Sequence, residues 1–497
     1  MHTDGILNRK QKVISMKENN ELEQMTEKIR NLLQTGNWAS AKSNCIEALI
    51  RYPTSAQLWV FMGEALEQLN EPSAAWKAYD RGWLLDPQAS WIDTVRTRLL
   101  RYRHGKIQPW LKKLLSVPPV TISAALVVKN EERIIGECIE RLRPAVDEIV
   151  VVDTGSTDKT KDILRDMGIH TYDFEWNDDF GAARNYALTK VSGDWVLCVD
   201  ADELLLQEDV ECPRTVAGLL NNSNPPCICR VGILNKVGNR VLPLYDMSRF
   251  FPTRFGLRFW GRVHEQIGPP EGGLFAAAYP RPAVRIRFEH DGYQQEVMYS
   301  KSKFDRNIRL LRASIQDDPD DIVSWGFLGR ELLYTGHIDE AIEALSHTEA
   351  LTDRHPDYGM ISVVRMLLIN ALLAKDRVEE AMDVANRVCE SDPSFPDVWY
   401  TKGKVEMSLA LKHLRSAQAS FQTAINAIPK YRGILSFDPE IMQWKAVAAL
   451  GDVAKMNGDL AEARRLYSQA KNCCPDSDVL EHQLKFIEDQ RKSLNNS

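Results

Sequence analysis

The 497-residue sequence predicts an α/β domain with a mostly parallel sheet, set between two all-α runs of paired helices. Three observations lead there. Small and aromatic residues recur with a 34-residue period near both ends. Between residues 118 and 295, apolar runs alternate with segments of helical period. Several of those apolar runs end in acids. The composition, 44% hydrophobic and 26% charged, is that of a globular chain of about two to four domains. A net charge of −7 argues against non-specific binding to nucleic acid or an anionic membrane. The N-terminus lacks the apolar core of a signal peptide, and runs such as "ISAALVV" are too short to span a membrane. Nine cysteines without a CxxC pair read as reduced, mostly buried thiols, so a cytoplasmic protein with no membrane span is expected.

The helical runs come first. After a polar tail, 1–21, Gly36, Ala41, Cys45, Ala48 and Pro53 are matched 34 residues on by Asn70, Ala75, Tyr79, Gly82 and Pro87. Trp59, Met62 and Gly63 open the second unit. The pattern returns as Trp325, Leu328, Gly329, Gly336 and Ala341, and again as Leu450, Gly451, Gly458, Ala463, Tyr467, Ala470 and Pro475. Two weaker units end near Pro393 and Pro429, the first with Arg365 and Ile369 at the places of Trp and Gly. Small residues let two helices approach, large apolar ones fill the gaps, and proline ends the second helix. These residues resemble the tetratricopeptide repeat over 22–117 and 296–490. Such stacks present a groove suited to a peptide or protein. The plainer alternative is that they brace the middle domain. Two N-terminal repeats are too few to stand alone, so they should lean on the helical stretch 88–116 or on the middle domain.

The middle, 118–295, reads as a series of elements. "TISAALVV" and "DEIVVVD" are buried strands. "EERIIGECIERL" is a helix with Ile134, Ile135, Cys138 and Leu142 on one stripe. "STDKTKDILRDMG" is a helix capped by Ser156 or Thr157 and stopped by Gly168. "IHTYDF", "GAARNYALTKV" and "DWVLCVD" continue as strand, helix and strand. In such sheets ligands bind at the carboxyl ends of the strands. There stand Lys129, Asn130 and Glu131, then Asp153, and then Asp200 and Asp202. The chain has two further D-x-D pairs, Asp318/Asp320 and Asp476/Asp478, but these sit beside prolines and read as solvated turns. Asp200 and Asp202 alone end an apolar strand, which points to a hard divalent ion, Mg²⁺ or Mn²⁺, on carboxylate oxygens.

The motifs "LVVKNEE", "IVVVDTGSTD", "GAARN" and "CVDADE", in that order, resemble family 2 glycosyltransferases of the GT-A fold. The likeness is greatest to a bacterial branch with "KNEE", "DTGSTD" and a later "HE", and the plan is similar to sublancin-type peptide S-glycosyltransferases. The resemblance implies a nucleotide-diphospho-sugar donor, taken as a UDP-sugar, and inversion at the anomeric carbon. Lys129, Asn130, Glu131 and Asp153 would bind the donor, with Asp153 on the base or ribose. Thr154 departs from the second aspartate of many relatives. Arg184 and Asn185 would lie near the phosphates. Asp202 would hold the metal and Asp200 the ribose or a metal-bound water.

"RFFPTRFGLRFWGRVHEQIG" resembles the acceptor segment of the same branch. It offers Glu265 as general base and His264 as its competitor. "VRIRFEHDGY" alternates as a half-buried strand ending in His290, a second candidate metal ligand. Trp260 and Tyr293 are candidate stacking rings, or core. A peptide or protein acceptor held by the repeats is expected, at Ser/Thr or Cys. The alternatives are a cell-surface polysaccharide or lipopolysaccharide-core acceptor, and a non-catalytic scaffold with a degenerate sugar-binding domain.

Overall fold

The computed structural model describes residues 20–237, 240–290, 301–430 and 438–495. The chain divides into two compact units, Met1–Ser324 and Trp325–Ser497.

The first unit opens with helices α1 (20–34), α2 (Trp38–Arg51), α3 (Ala56–Gln68) and α4 (Pro72–Leu85). Gly63 lies against the Tyr79 ring, where a Cβ would come within 2.8 Å, so α3 and α4 meet closely because residue 63 has no side chain. Shorter helices α5 (Ile92–Leu99) and α6 (Pro109–Leu115) add Leu99 and Leu111 to the same core.

The sheet follows. Its strands are β1 (Ile122–Val128), β2 (Glu148–Asp153), β3 (Thr171–Asp173), β4 (Trp195–Val199), β5 (Glu203–Leu205), β6 (Cys229–Val237), β7 (Arg240–Pro252) and β10 (Ala283–His290). Their order is β3-β2-β1-β4-β7-β6-β10-β5. Helices α7 (Ile135–Leu142), α8 (Thr160–Asp166), α9 (Phe180–Leu188) and α10 (Cys212–Leu220) connect and cover it. A small ribbon, β8 (Arg258–Trp260) with β9 (Gln266–Gly268), stands apart from the main sheet. Only the β3-β2-β1-β4 half is parallel throughout. The other half is mixed, because β6 and β7 pair as antiparallel neighbours and β7 runs antiparallel to β4.

Several local expectations are corrected. The helix expected from Glu131 begins at Ile135. Asn130 takes φ 58°, and the loop amides of Asn130, Glu131 and Glu132 donate to Ser156, Thr160 and Asp158 instead of opening a helix. Ser156 and Thr157 therefore do not cap α8. They tie the loop after β2 to the loop after β1, and Asp158 accepts from the Thr160 amide at 3.0 Å.

The strand β10 is not half-solvated either. Val284, Ile286 and Phe288 are buried, but so are Arg285 and Arg287. The physical reason is α4, which covers that face. The Arg285 and Arg287 guanidiniums lie 4.1 and 4.7 Å from the Trp83 ring centre, and Arg285 pairs with Asp80 at 2.6 Å. Arg287 pairs with the fully buried Asp209 at 2.7 Å. The N-terminal repeat pair thus leans on both of its expected supports.

After β10, α11 (Lys301–Asp317) still belongs to the first unit. Arg309 on α11 pairs with Asp178 at 2.7 Å, and Asp317 with Arg262 at 2.6 Å. The expected boundary after residue 295 falls outside the described residues.

The second unit begins within α12 (Ile322–Tyr334) and continues through α13 (Ile338–Leu351), α14 (Ile361–Ala374) and α15 (Val378–Ser391). It ends with α16 (Pro396–Ala427), α17 (Ala446–Met456), α18 (Leu460–Cys473) and α19 (Asp478–Asn495). Turns inside the helix pairs use left-handed residues: Gly36 and Asn70 in the first unit, Gly336, Asp376 and Gly458 here. The weak unit expected to end near Pro429 is not a pair but one 32-residue helix, α16. Around Leu411 it has strong helix formers and no glycine or asparagine to take φ > 0, so nothing breaks it.

Candidate active site

The carboxyl ends of β1, β2 and β4 form one edge, as parallel neighbours must. Asp153, buried at the end of β2, accepts through Oδ1 from the amides of Gly155 and Ser156 at 3.0 and 2.9 Å. Its Oδ2 is buried and has no hydrogen-bond partner among the described residues. Thr154 is turned inward, its hydroxyl donating to the Val128 carbonyl at 3.1 Å.

Asp200, just past β4, has both carboxylate oxygens engaged. Oδ1 accepts from Arg184 at 2.7 Å and Oδ2 from Arg249 at 2.6 Å. Burial works against its charge, but Arg249 and then Arg184 outweigh it and hold the carboxyl well below the usual range. Arg249 also donates to the buried Glu203 at 2.9 Å, and the Asp200 amide donates to that same Glu203 oxygen. Burial pushes the Glu203 carboxyl upward, against the pull of Arg249.

Arg184 is not a surface residue of α9. Its Nε donates to Oε1 of Glu265 while its Nη2 holds Asp200. This brings the turn between β8 and β9 to the strand edge. The close approach depends on Gly181, where a Cβ would stand 2.5 Å from the Gly261 carbonyl. The Phe180 amide donates to the Arg262 carbonyl at 2.8 Å, and Gly261 and His264 both take positive φ in the turn before Glu265. Asn185 is spent on structure: its amide group exchanges hydrogen bonds of 2.9 and 2.8 Å with the Phe259 backbone, fixing β8. The Trp260 indole donates to the Pro269 carbonyl at 2.9 Å.

Asp202 is half-buried across from Glu131. Burial first, and then the charge of Asp202, push the Glu131 carboxyl up to about 7. Oxygen donors of this kind fit a hard divalent ion. Among the described residues no three His, Cys, Asp or Glu side chains form a cage. His290 ends β10, its backbone paired with Glu203. Its side chain, and Tyr293, lie outside the described residues.

A cavity of about 320 Å³ opens at the ends of β1 and β2, lined among others by Lys129, Glu131, Thr154, Trp176, Phe180 and Arg306. Sequence reasoning assigned nothing to Arg249, Glu203, Trp176 or Arg306. A signal existed for two of them, since Arg249 opens the "RFF" segment and Glu203 closes "DADE".

A sheet of this order, with paired acids after its fourth strand and the β8–β9 ribbon beside them, is that of a GT-A domain. Residues 123–233 match the profile described as glycosyl transferase family 2, and residues 26–90 and 328–396 that of the tetratricopeptide repeat. A TPR repeat-containing protein of Synechococcus elongatus is 27% identical over 271 residues, 53% of this chain and 64% of that protein. The SPbeta prophage-derived glycosyltransferase SunS of Bacillus subtilis is 26% identical over 381 residues, 74% of this chain and 87% of that protein. An uncharacterized glycosyltransferase of Rickettsia bellii is 38% identical over 93 residues, 18% of this chain and 31% of that protein. The chain carries a family 2 glycosyltransferase domain set between tetratricopeptide repeats, which makes it a glycosyltransferase in class. Among the described residues no helix is long and apolar enough to cross a membrane.

Proposed function

We propose that this chain is a metal-dependent, inverting glycosyltransferase that moves a sugar from a UDP-sugar to a Ser, Thr or Cys side chain of a peptide or protein. The observation that carries this reading is Arg184, which joins Asp200 of the D-x-D pair to Glu265 of the acceptor segment. Donor-side and acceptor-side acids are thereby held in one site.

Asp153 offers its unpartnered Oδ2 to a donor group of the base or ribose, its other oxygen being already fixed by two amides. Lys129, Asn130 and Glu131 line the donor approach. Asp202 would hold the divalent ion, with His290 as a further ligand. The ion, when bound, supplies positive charge to the diphosphate leaving group. Asp200, clamped by two guanidiniums, positions the edge and faces the ribose. Arg184 also adds positive charge close to the leaving group.

Glu265 is the general base, with His264 its competitor. Its Oε1 is occupied by Arg184, and among the described residues its Oε2 has no hydrogen bond, so Oε2 takes the acceptor proton. The acceptor oxygen or sulfur attacks the anomeric carbon as the bond to the diphosphate breaks, and the electron pair leaves with the diphosphate. The repeats support a peptide or protein acceptor, since stacked helix pairs present extended binding surfaces.

The test is incubation with a panel of nucleotide sugars and Ser, Thr and Cys peptides, with and without Mg²⁺ or Mn²⁺, read by intact mass. A mass gain of one sugar that vanishes in chelator is expected. No transfer and no donor hydrolysis with any donor would refute the reading.

A further inference from the structure

Arg306 lies on α11, beyond the segment that matches the glycosyltransferase family, yet it lines the cavity at the ends of β1 and β2. Its placement is built. Asp178, at φ 61° in the loop after β3, accepts from Arg309 at 2.7 and 3.0 Å and so anchors α11 there. The Trp176 indole donates to the same Asp178 at 3.1 Å. Trp176 and Phe180 meet edge to face, and the Arg306 guanidinium stacks 5.1 Å from the Phe180 ring centre.

What this placement leaves unsatisfied is informative. Among the described residues the buried Nε of Arg306 has no hydrogen-bond partner. Its one hydrogen bond is from Nη2 to the Asn307 amide oxygen at 3.3 Å, and among the described residues no carboxylate pairs with it. Burial, and then the charge of Arg309, lower its pKa. A buried donor and an uncompensated charge are both costly unless something meets them. The cavity wall combines two aromatic rings, Trp176 and Phe180, with two cations, Lys129 and Arg306, and one acid, Glu131. That is the chemistry of a nucleoside diphosphate, which presents a flat ring to stack and anionic oxygens to pair.

We propose that Arg306 is a donor-binding residue, its guanidinium pairing with the diphosphate of the nucleotide sugar, so that α11 completes the donor site from outside the family-matched segment. This rests on the reading of the chain as a nucleotide-sugar transferase. Arg306 would then couple the start of the C-terminal helices to donor occupancy.

The experiment is calorimetric titration of the full chain, wild type, R306Q and R306K, with UDP, GDP, ADP and dTDP and with the matching nucleosides, in Mg²⁺. For the diphosphate that wild type binds best, R306Q should weaken binding about ten- to a hundred-fold, the range of a hydrogen bond to a charged group. The matching nucleoside should change less than about two-fold, and R306K should recover part of the loss because it keeps the charge. Melting curves check that each variant is folded, and R306K carries the comparison if R306Q is not. Equal affinity for the diphosphate in a folded variant would overturn the proposal. Equal losses for nucleoside and diphosphate would overturn it too, placing the contact on the base. If wild type binds none of the four diphosphates, the donor reading itself fails, a pattern distinct from either.

Discussion

Arg249→Met removes the one cation that Asp200 and Glu203 share. The Arg249 side chain is 7% exposed and Glu203 2%, with bonds of 2.6 Å to Asp200 and 2.9 Å to Glu203. Breaking a buried ion pair from one side costs about 3–5 kcal/mol, because a charge is left behind. Asp200 is 35% exposed and keeps Arg184, so most of the cost falls on Glu203. That places the loss near the low end, about 3 kcal/mol. In a unit of this size such a loss lowers the melting temperature by roughly 5 °C. Glu203→Met alone should also destabilise, since it strands part of the guanidinium. The double variant, with methionine at both places, should lose less than the sum, because apolar replacement of a whole buried pair is often close to neutral. Scanning calorimetry of all four proteins is the assay. A single Arg249→Met variant melting within about 1 °C of wild type, or strictly additive losses, would refute the reasoning.

Three other outcomes are expected. Glu265→Gln should slow transfer to Ser or Thr peptides about 10²–10⁴-fold in a pH–rate profile, and transfer to Cys less, since a thiol is partly ionised near neutrality. Wild-type rates on both would make His264 the next candidate. Asp202→Asn should abolish transfer and weaken Mg²⁺-dependent donor binding, which titration with and without chelator checks; full activity in chelator would count against the metal. Trp83→Ala, beneath Arg285 and Arg287, should cost about 3–5 kcal/mol and expose α1–α6 to limited proteolysis. An unchanged digestion pattern and melting temperature would mean the N-terminal helices are not braced there.

Much of the fold was legible because it depends on local pattern. The strands β1, β2 and β4 were continuous apolar runs ended by polar residues, and the helix pairs carried glycines at turns and crossings. The misses come from partners distant in sequence. Nothing near Arg285 or Arg287 indicates that α4, some 200 residues earlier, covers them and supplies Asp80 and Trp83. Likewise Ser156 looks like a helix cap until the loop after β1 turns out to be its partner. The candidate site divides the same way. Asp153, Asp200 and Asp202 stand at or just past strand ends in the sequence, while Trp176 and Arg306 show their placement only in three dimensions.

The site is best understood as an alternating chain of charge: Glu265, Arg184, Asp200, Arg249, Glu203. Three acids are bridged by two guanidiniums, from α9 and β7, whose fixed forks hold their partners at set angles as a lysine would not. Each end of the chain sits on a different element, the turn between β8 and β9 at one side and β5 at the other. Asp200 is the middle member. Both of its oxygens are held by arginine, while the second acid of the pair, Asp202, acts by its charge on Glu131. The D-x-D spacing separates the two carboxylates: Asp200 turns to the protein's cations and is tied through Arg184 to Glu265, and Asp202 lies half-buried on the other side of Ala201. A change at Arg249 would therefore reach Glu265 without touching it, through Asp200 and Arg184, whereas a change at Arg184 removes a direct partner of Glu265.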